Sequence, residues 1–108
     1  MTTFDDRERA FETKYARDEE MQFRIIARRN RLLGEWAGRL MGLNDAESES
    51  YAKDVIRADF EEAGDEDVIR KLLGDLTSAG IDVDDQRIRD ALDHKAVEAR
   101  RQLMQSLD

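Results

Sequence analysis

The sequence predicts an all-α protein, a four-helix bundle with a projecting, mobile N-terminal amphipathic arm. Three observations carry that expectation. The 108-residue chain has no proline to break a helix from within, and three of its six glycines, Gly42, Gly64 and Gly80, fall at the ends of apolar-periodic segments. Apolar side chains recur at three- and four-residue spacing in every segment. Charged residues make up 41% of the chain and hydrophobic ones 40%, the balance of helices with one buried stripe and solvated outer faces. A chain of this length suits one small domain.

The first helical segment has a candidate N-cap at Thr3, with Asp6 three residues later; Asp5 and Asp6 suit the positive end of the helix dipole. Phe4, Phe11 and Tyr15 fall on one face, and Asp5, Asp6, Arg7, Glu8, Arg9, Glu12 and Lys14 occupy the other sides. The same stripe continues in phase through Ile26, Leu33 and Leu40. Unbroken to Met41, this helix would be roughly 55 Å long at about 1.5 Å per residue. The later segments are shorter and can cover its second half but not its first. Arg17, Asp18, Glu19 and Glu20 follow one another with no core residue among them. They place a hinge over 16–20, which divides the chain into an arm, 1–20, and a body, 21–108.

Gly42 suits a left-handed helix end, with Leu43 folding back onto the last turn. Asn44 and Glu47 have the spacing of a capping box for the second segment. Its buried face is Tyr51, Val55, Ile56 and Phe60, flanked by Ala52 and Ala63, and Gly64 ends it. Asp65 is the expected cap of the third segment, whose stripe is Val68, Ile69, Leu72, Leu73 and Leu76; Gly80 closes it, with Ile81 as the apolar contact. The fourth segment starts at Asp84, with Val83 and Ile88 spaced for a hydrophobic staple, and its inner face is Ile88, Leu92, Ala96, Ala99 and Leu103. Connections this short place successive helices side by side and antiparallel. Gly34 and Gly38 are placed to let another helix approach closely.

Burying one Leu, Ile, Val or Phe contributes about 1.5–3 kcal/mol, against ~1–2 kcal/mol of backbone entropy for each residue ordered. The body has roughly one large apolar residue per helical turn and offsets its own ordering cost. After Thr3 the arm has only Phe4, Phe11 and Tyr15. The arm is therefore expected to be mobile alone and to fold against another protein.

The formal net charge of −8 is uneven. Residues 1–20 carry seven acids against four bases, whereas 22–41 set Arg24, Arg28, Arg29, Arg31 and Arg39 against Glu35 alone. A basic stretch confined to half of one helix in an acidic chain argues against a nucleic-acid partner. Those arginines pair with acids of a neighbouring helix or form an anion site. Trp36 is either core, in line with Leu32, Leu33 and Leu40, or a stacking surface for a base near Arg28 and Arg29. Catalysis is not expected. The chain has no cysteine and a single histidine, His94, with no nucleophile evident beside it. Asp82, Asp84, Asp85, Asp90 and Asp93 lack the glycine and closing glutamate of a calcium loop, so no metal site is expected. The lack of cysteine suits a reducing compartment. No N-terminal apolar signal region and no run near the ~18 apolar residues of a membrane span are present, so direct membrane insertion is not expected.

Three stretches, MTTFDDRERAFETKYARDEE, ARRNRLLGEWAGRLMGL and YAKDVIRADFEEAGDEDVIRK, closely resemble the zeta subunit of alphaproteobacterial F-type ATP synthases, a family of ATPase inhibitor proteins. The resemblance implies a bundle whose N-terminal segment enters the catalytic alpha/beta interface of the soluble ATPase head near the rotor subunit, gamma. There the segment folds into a helix and blocks rotation in the hydrolytic direction. Carried over by position, it spans Thr2 to about Arg17. Phe4, Phe11 and Tyr15 would be buried, Asp5, Arg7, Arg9 and Lys14 would make polar contacts, and Thr2, Thr3 and Asp6 would complete the interface. The resemblance also implies weak binding of ADP or ATP as a ligand, with no cofactor required; charge and stacking nominate Arg28, Arg29 and Trp36 for it. It implies a cytoplasmic protein held at the inner face of the membrane through the ATP synthase. The alternatives are an adenine-nucleotide-sensing helical module with weak or no inhibition, and an adaptor docking one helix on an unrelated partner. With His94 far from the arm in sequence, inhibition is expected to vary little between pH 6 and 8.

Overall fold

The computed structural model describes residues 19–61 and 64–105. They form four helices: α1 (Glu19–Leu40), α2 (Asp45–Glu61), α3 (Asp65–Ser78) and α4 (Asp85–Gln105). No strand occurs among the described residues, so the all-α bundle is as expected. The arm as far as Asp18, with its cap at Thr3, lies outside the described residues. Glu19 and Glu20, assigned to the hinge, are the first turn of α1, where their charges face the positive end of the helix dipole.

α1 is the central element. It packs along α2 on one side and α4 on the other, and α3 closes the bundle against α2 and α4. One apolar cluster joins all four: Leu33 and Ala37 from α1, Val55 from α2, Val68, Ile69, Leu72 and Leu76 from α3, and Ile88 and Leu92 from α4. Trp36, Leu40, Tyr51, Leu73, Ile81 and Val83 pack against its edge, half-buried. Ala99 is buried, while Ala96 and Leu103 are half-buried. The side chain of Phe60, and Ala63, lie outside the described residues.

The helix ends follow local chemistry. Gly42 is left-handed at φ 79°, and the Leu43 N–H donates to the Gly38 carbonyl at 2.9 Å. Gly80 repeats the device at φ 80°, with the Ile81 N–H on the Leu76 carbonyl at 2.9 Å. Asn44 and Glu47 form a reciprocal box: the Glu47 N–H donates to Asn44 Oδ1 at 2.8 Å and the Asn44 N–H to Glu47 Oε1 at 3.0 Å. Asp84 Oδ1 accepts from the Arg87 N–H at 2.8 Å, and of the staple residues Ile88 belongs to the core cluster while Val83 packs against it.

Two details differ from the sequence reading. Asp65 does not cap α3. Gly64 holds that position without a side-chain cap bond, and the Asp65 carboxylate pairs with Arg29 instead. Ala52 is not a flanking residue but is buried at 1% exposure, because α1 and α2 approach most closely there. A Cβ added at Gly34 would stand 2.6 Å from Ala52 Cα, and one at Gly38 would stand 2.7 Å from Ser48 Oγ. The two glycines therefore do what their spacing suggested.

Candidate functional site

The residues assigned to the inhibitory interface, Thr2, Thr3, Phe4, Asp5, Asp6, Arg7, Arg9, Phe11, Lys14 and Tyr15, lie outside the described residues. The described chain does fix where that segment joins the body. It enters α1 at Glu19, about ten residues ahead of Arg28 and Arg29, which meet Gln102 near the end of α4 and Asp65 at the start of α3.

Polar groups are buried at this level of α1. Arg29 is 7% exposed and Asn30 1%. Arg29 Nη1 meets Asp65 Oδ1 at 3.0 Å, while its Nε and Nη2 donate to Asn30 Oδ1 at 3.1 and 3.0 Å. The buried charge is thus paired and hydrogen-bonded, the condition under which burial is tolerated. Of the two readings of the basic stretch, pairing with acids holds for Arg29. Arg31 likewise pairs with Glu35 at 3.3 Å and Arg24 with Glu20 at 2.8 Å.

The three side chains nominated for a nucleotide are not brought together. Arg29 turns inward to Asp65. Arg28 is exposed on the α4 side, donating to Gln102 Oε1 at 3.1 Å. Trp36 lies two turns further along α1, half-buried against the core, as the first of its two readings had it. Its open side faces a groove of about 520 Å³ lined also by Asp84, Arg87, Asp90, His94 and Lys95. The Arg87 guanidinium lies 5.9 Å from the Trp36 ring centroid, within cation–π range. The cations beside Trp36 are therefore Arg87 and Lys95 of α4, not the α1 arginines. Arg87, Ala91, His94 and Lys95 share one helical face at spacings of four, three and one, and that spacing was a signal available in the sequence. Such a groove offers an aromatic face, two cations and a histidine to a small anionic aromatic ligand. Its acids, Asp84 and Asp90, match the two cations in number, so the lining carries no formal net charge with His94 neutral, and Lys95 is itself paired with Glu98 at 3.3 Å.

Away from the groove, two polar clusters tie helices together. The Tyr51 hydroxyl donates to Asp75 Oδ2 at 2.6 Å, and Lys71 Nζ reaches the same oxygen at 3.0 Å. Burial, followed by the neighbouring Asp75 carboxylate, pushes the Tyr51 phenol well above its ordinary range. Arg89 of α4 grips Glu66 of α3 through two parallel bonds of 2.8 Å and also holds Asp85 at 2.6 Å. The Arg89 hydrogen bond holds the Glu66 carboxyl below the usual range. Neither cluster lines the groove, and no group of three or more metal-ligating side chains occurs among the described residues.

Comparison with known proteins adds the following. The family model described as ATPase inhibitor subunit zeta matches residues 1–102. A solution NMR structure is similar to the chain with a TM-score of 0.71 and 42% sequence identity, over 80% of this chain and 98% of the other. The search of curated proteins gives no match.

Proposed function

The chain belongs to the ATPase inhibitor subunit zeta family, and from that premise we propose that it restrains ATP hydrolysis by an F-type ATP synthase through its N-terminal segment. Thr2 to about Arg17 enters the catalytic alpha/beta interface near gamma, folds into a helix there and stops rotation in the hydrolytic direction. Phe4, Phe11 and Tyr15 supply the buried ridge; Asp5, Arg7, Arg9 and Lys14 supply the flanking polar contacts. One observation carries this reading: the family match runs over residues 1–102, so the stripe of Phe4, Phe11 and Tyr15 belongs to the sequence that the family shares. In this reading the protein is a regulator and not an enzyme. It resides in the cytoplasm, at the inner face of the membrane by way of the ATP synthase. No helix among the described residues is long and apolar enough to cross a membrane.

The test is inhibition of the purified ATPase head by the full chain and by a chain with Phe4, Phe11 and Tyr15 all replaced by Ala. The reading expects strong loss of inhibition in the substituted chain; equal potency would exclude the apolar ridge as the inhibitory element.

A second reading has one observation in its favour, the groove in which Trp36 faces Arg87, His94 and Lys95. There ADP or ATP would stack on the indole and set its phosphates against Arg87 and Lys95. Titrating ADP while following Trp36 fluorescence tests it, and an Arg87→Ala chain should lose the response.

A further inference from the structure

We propose that the outer face of α4 is a self-association surface, on which a second copy of the chain docks its own α4 antiparallel, related by a two-fold axis at Val97. Neither the inhibitory segment nor the Trp36 groove takes part.

Val97 is 71% exposed and Met104 49%. α4 buries Ile88, Leu92 and Ala99. Nine residues separate Val97 from Ile88, which at about 3.6 residues per turn puts the two on opposite sides of the helix. Met104 follows Val97 by seven residues, two turns, and shares its line. The apolar pair therefore stands on the side of α4 turned away from its own core.

The charges around Val97 say what fits there. Asp93 lies four residues before it and Arg101 four after; Asp90 lies seven before and Arg100 three after. All four are exposed, and their spacings keep them on the Val97 side of the helix. The stripe is thus acidic towards its N-terminus, apolar at its middle and basic towards its C-terminus. Other charges of α4 are matched within the chain: Arg89 holds Glu66 and Asp85, and Lys95 holds Glu98. Among the described residues Asp93, Arg100 and Arg101 form no such ion pair.

A pattern that changes sign about its own midpoint matches itself after a two-fold rotation, the symmetry of an isologous dimer. Antiparallel α4 helices crossing at Val97 set Asp93 of each copy against Arg101 of the other, and Val97 against Val97. Met104 falls opposite Asp90, whose carboxylate Gln86 Nε2 already holds at 2.9 Å. A partner of one charge sign, such as a nucleic acid or an acidic peptide, would be repelled by one half of the stripe. The sign change at equal spacing selects a second copy as the occupant. One helix face buries less than about 1,200 Å² in total, the size of a transient interface, so half of the chain should be paired at about 10⁻⁴ M.

The experiment is sedimentation equilibrium of the full chain from about 10 µM to about 1 mM. The parent should pass from monomer to dimer across that range. Asp93→Arg and Arg101→Asp each set like charges against one another at two places, and each should weaken association about tenfold or more. Mixed in equal amounts, the two variants regain both opposite-charge pairs. So does one chain carrying both substitutions, whose formal net charge stays at the parent's −8. Dimer should return in both cases. A parent that stays monomeric throughout, a dimer that survives either single reversal unweakened, or a mixture that stays monomeric would overturn the proposal. A second measurement does not depend on the charge variants. The chain has no cysteine, so Val97→Cys places one thiol at the two-fold axis, where it meets its own copy. Under mild oxidation it should cross-link to a dimer about tenfold faster than Gln86→Cys, which is exposed on the same helix but far from the axis. Equal rates contradict the proposal.

Discussion

Arg29 holds a full charge at 7% exposure, and its neighbours determine what that costs. Asp65, half-exposed, neutralises it, and Asn30 takes two of its N–H groups. Asp65→Ala removes the counter-charge and leaves the guanidinium buried, so urea denaturation should show a loss of about 1–2 kcal/mol. Arg29→Met keeps the volume without the charge and should lie close to the parent. Sequence reading did not resolve this pair. An arginine's partner is set by tertiary packing, and Asp65 had an equally good local reading as a helix cap. Tyr51 is similar: its apolar position was legible, but its bond to Asp75 was not, because the two are 24 residues apart. Its phenol is held protonated more strongly in the folded chain than in the unfolded one. This contribution is complete below the unfolded tyrosine value of about 10 and is lost as pH rises beyond it, where the unfolded chain releases the proton first. Tyr51→Phe should reduce stability at pH 7 by about 0.5–1.5 kcal/mol and flatten the decline above pH 10. Denaturation curves at both pH values check this.

At the scale of elements, the sequence was most informative where one residue type serves one backbone geometry. Gly42 and Gly80 at positive φ, the Asn44–Glu47 box and the Asp84 cap depend on neighbours within a few residues. All were therefore readable without the fold. Packing between helices was readable only in outline: Gly34 and Gly38 announced a close approach, but nothing local named Ala52 and Ser48 as what they meet. The two kinds of glycine make opposite predictions. Gly34→Ala gains about 1 kcal/mol of helix propensity, but its Cβ would meet backbone at 2.6 Å. α1 and α2 must then separate, and a net loss of about 1–3 kcal/mol is expected. Gly74, inside α3, has open space where a Cβ would sit. Gly74→Ala should therefore raise stability by about 0.5–1 kcal/mol. Thermal unfolding of the two variants side by side tests both signs.

For the whole molecule, the division of labour follows from where apolar surface is spent. Four helices bury their inner faces in one core. The expectation that the stripe ahead of α1 is surplus to that core comes from helical phase and length in the sequence, and its residues lie outside the described ones. Nothing in a helix's own pattern names the groove it fits; the family match supplies the ATPase inhibitor role alone. The Trp36 groove was missed in the sequence because its cations come from α4, some fifty residues after Trp36. His94, the chain's one histidine, lines that groove on the exposed face of α4, and no histidine lies in the arm or the first turns of α1. Inhibition should accordingly change little between pH 6 and 8. Assays of the ATPase head at constant ionic strength across that range check it, and a steep loss would point to a titrating group that this account does not contain.

The most direct test is a titration of the purified ATPase head with the full chain and with a chain lacking residues 1–18, following ATP hydrolysis. The shortened chain retains every core residue among the described ones and should fold, yet leave hydrolysis running. Inhibition by the shortened chain equal to that of the full one would contradict the account at its centre.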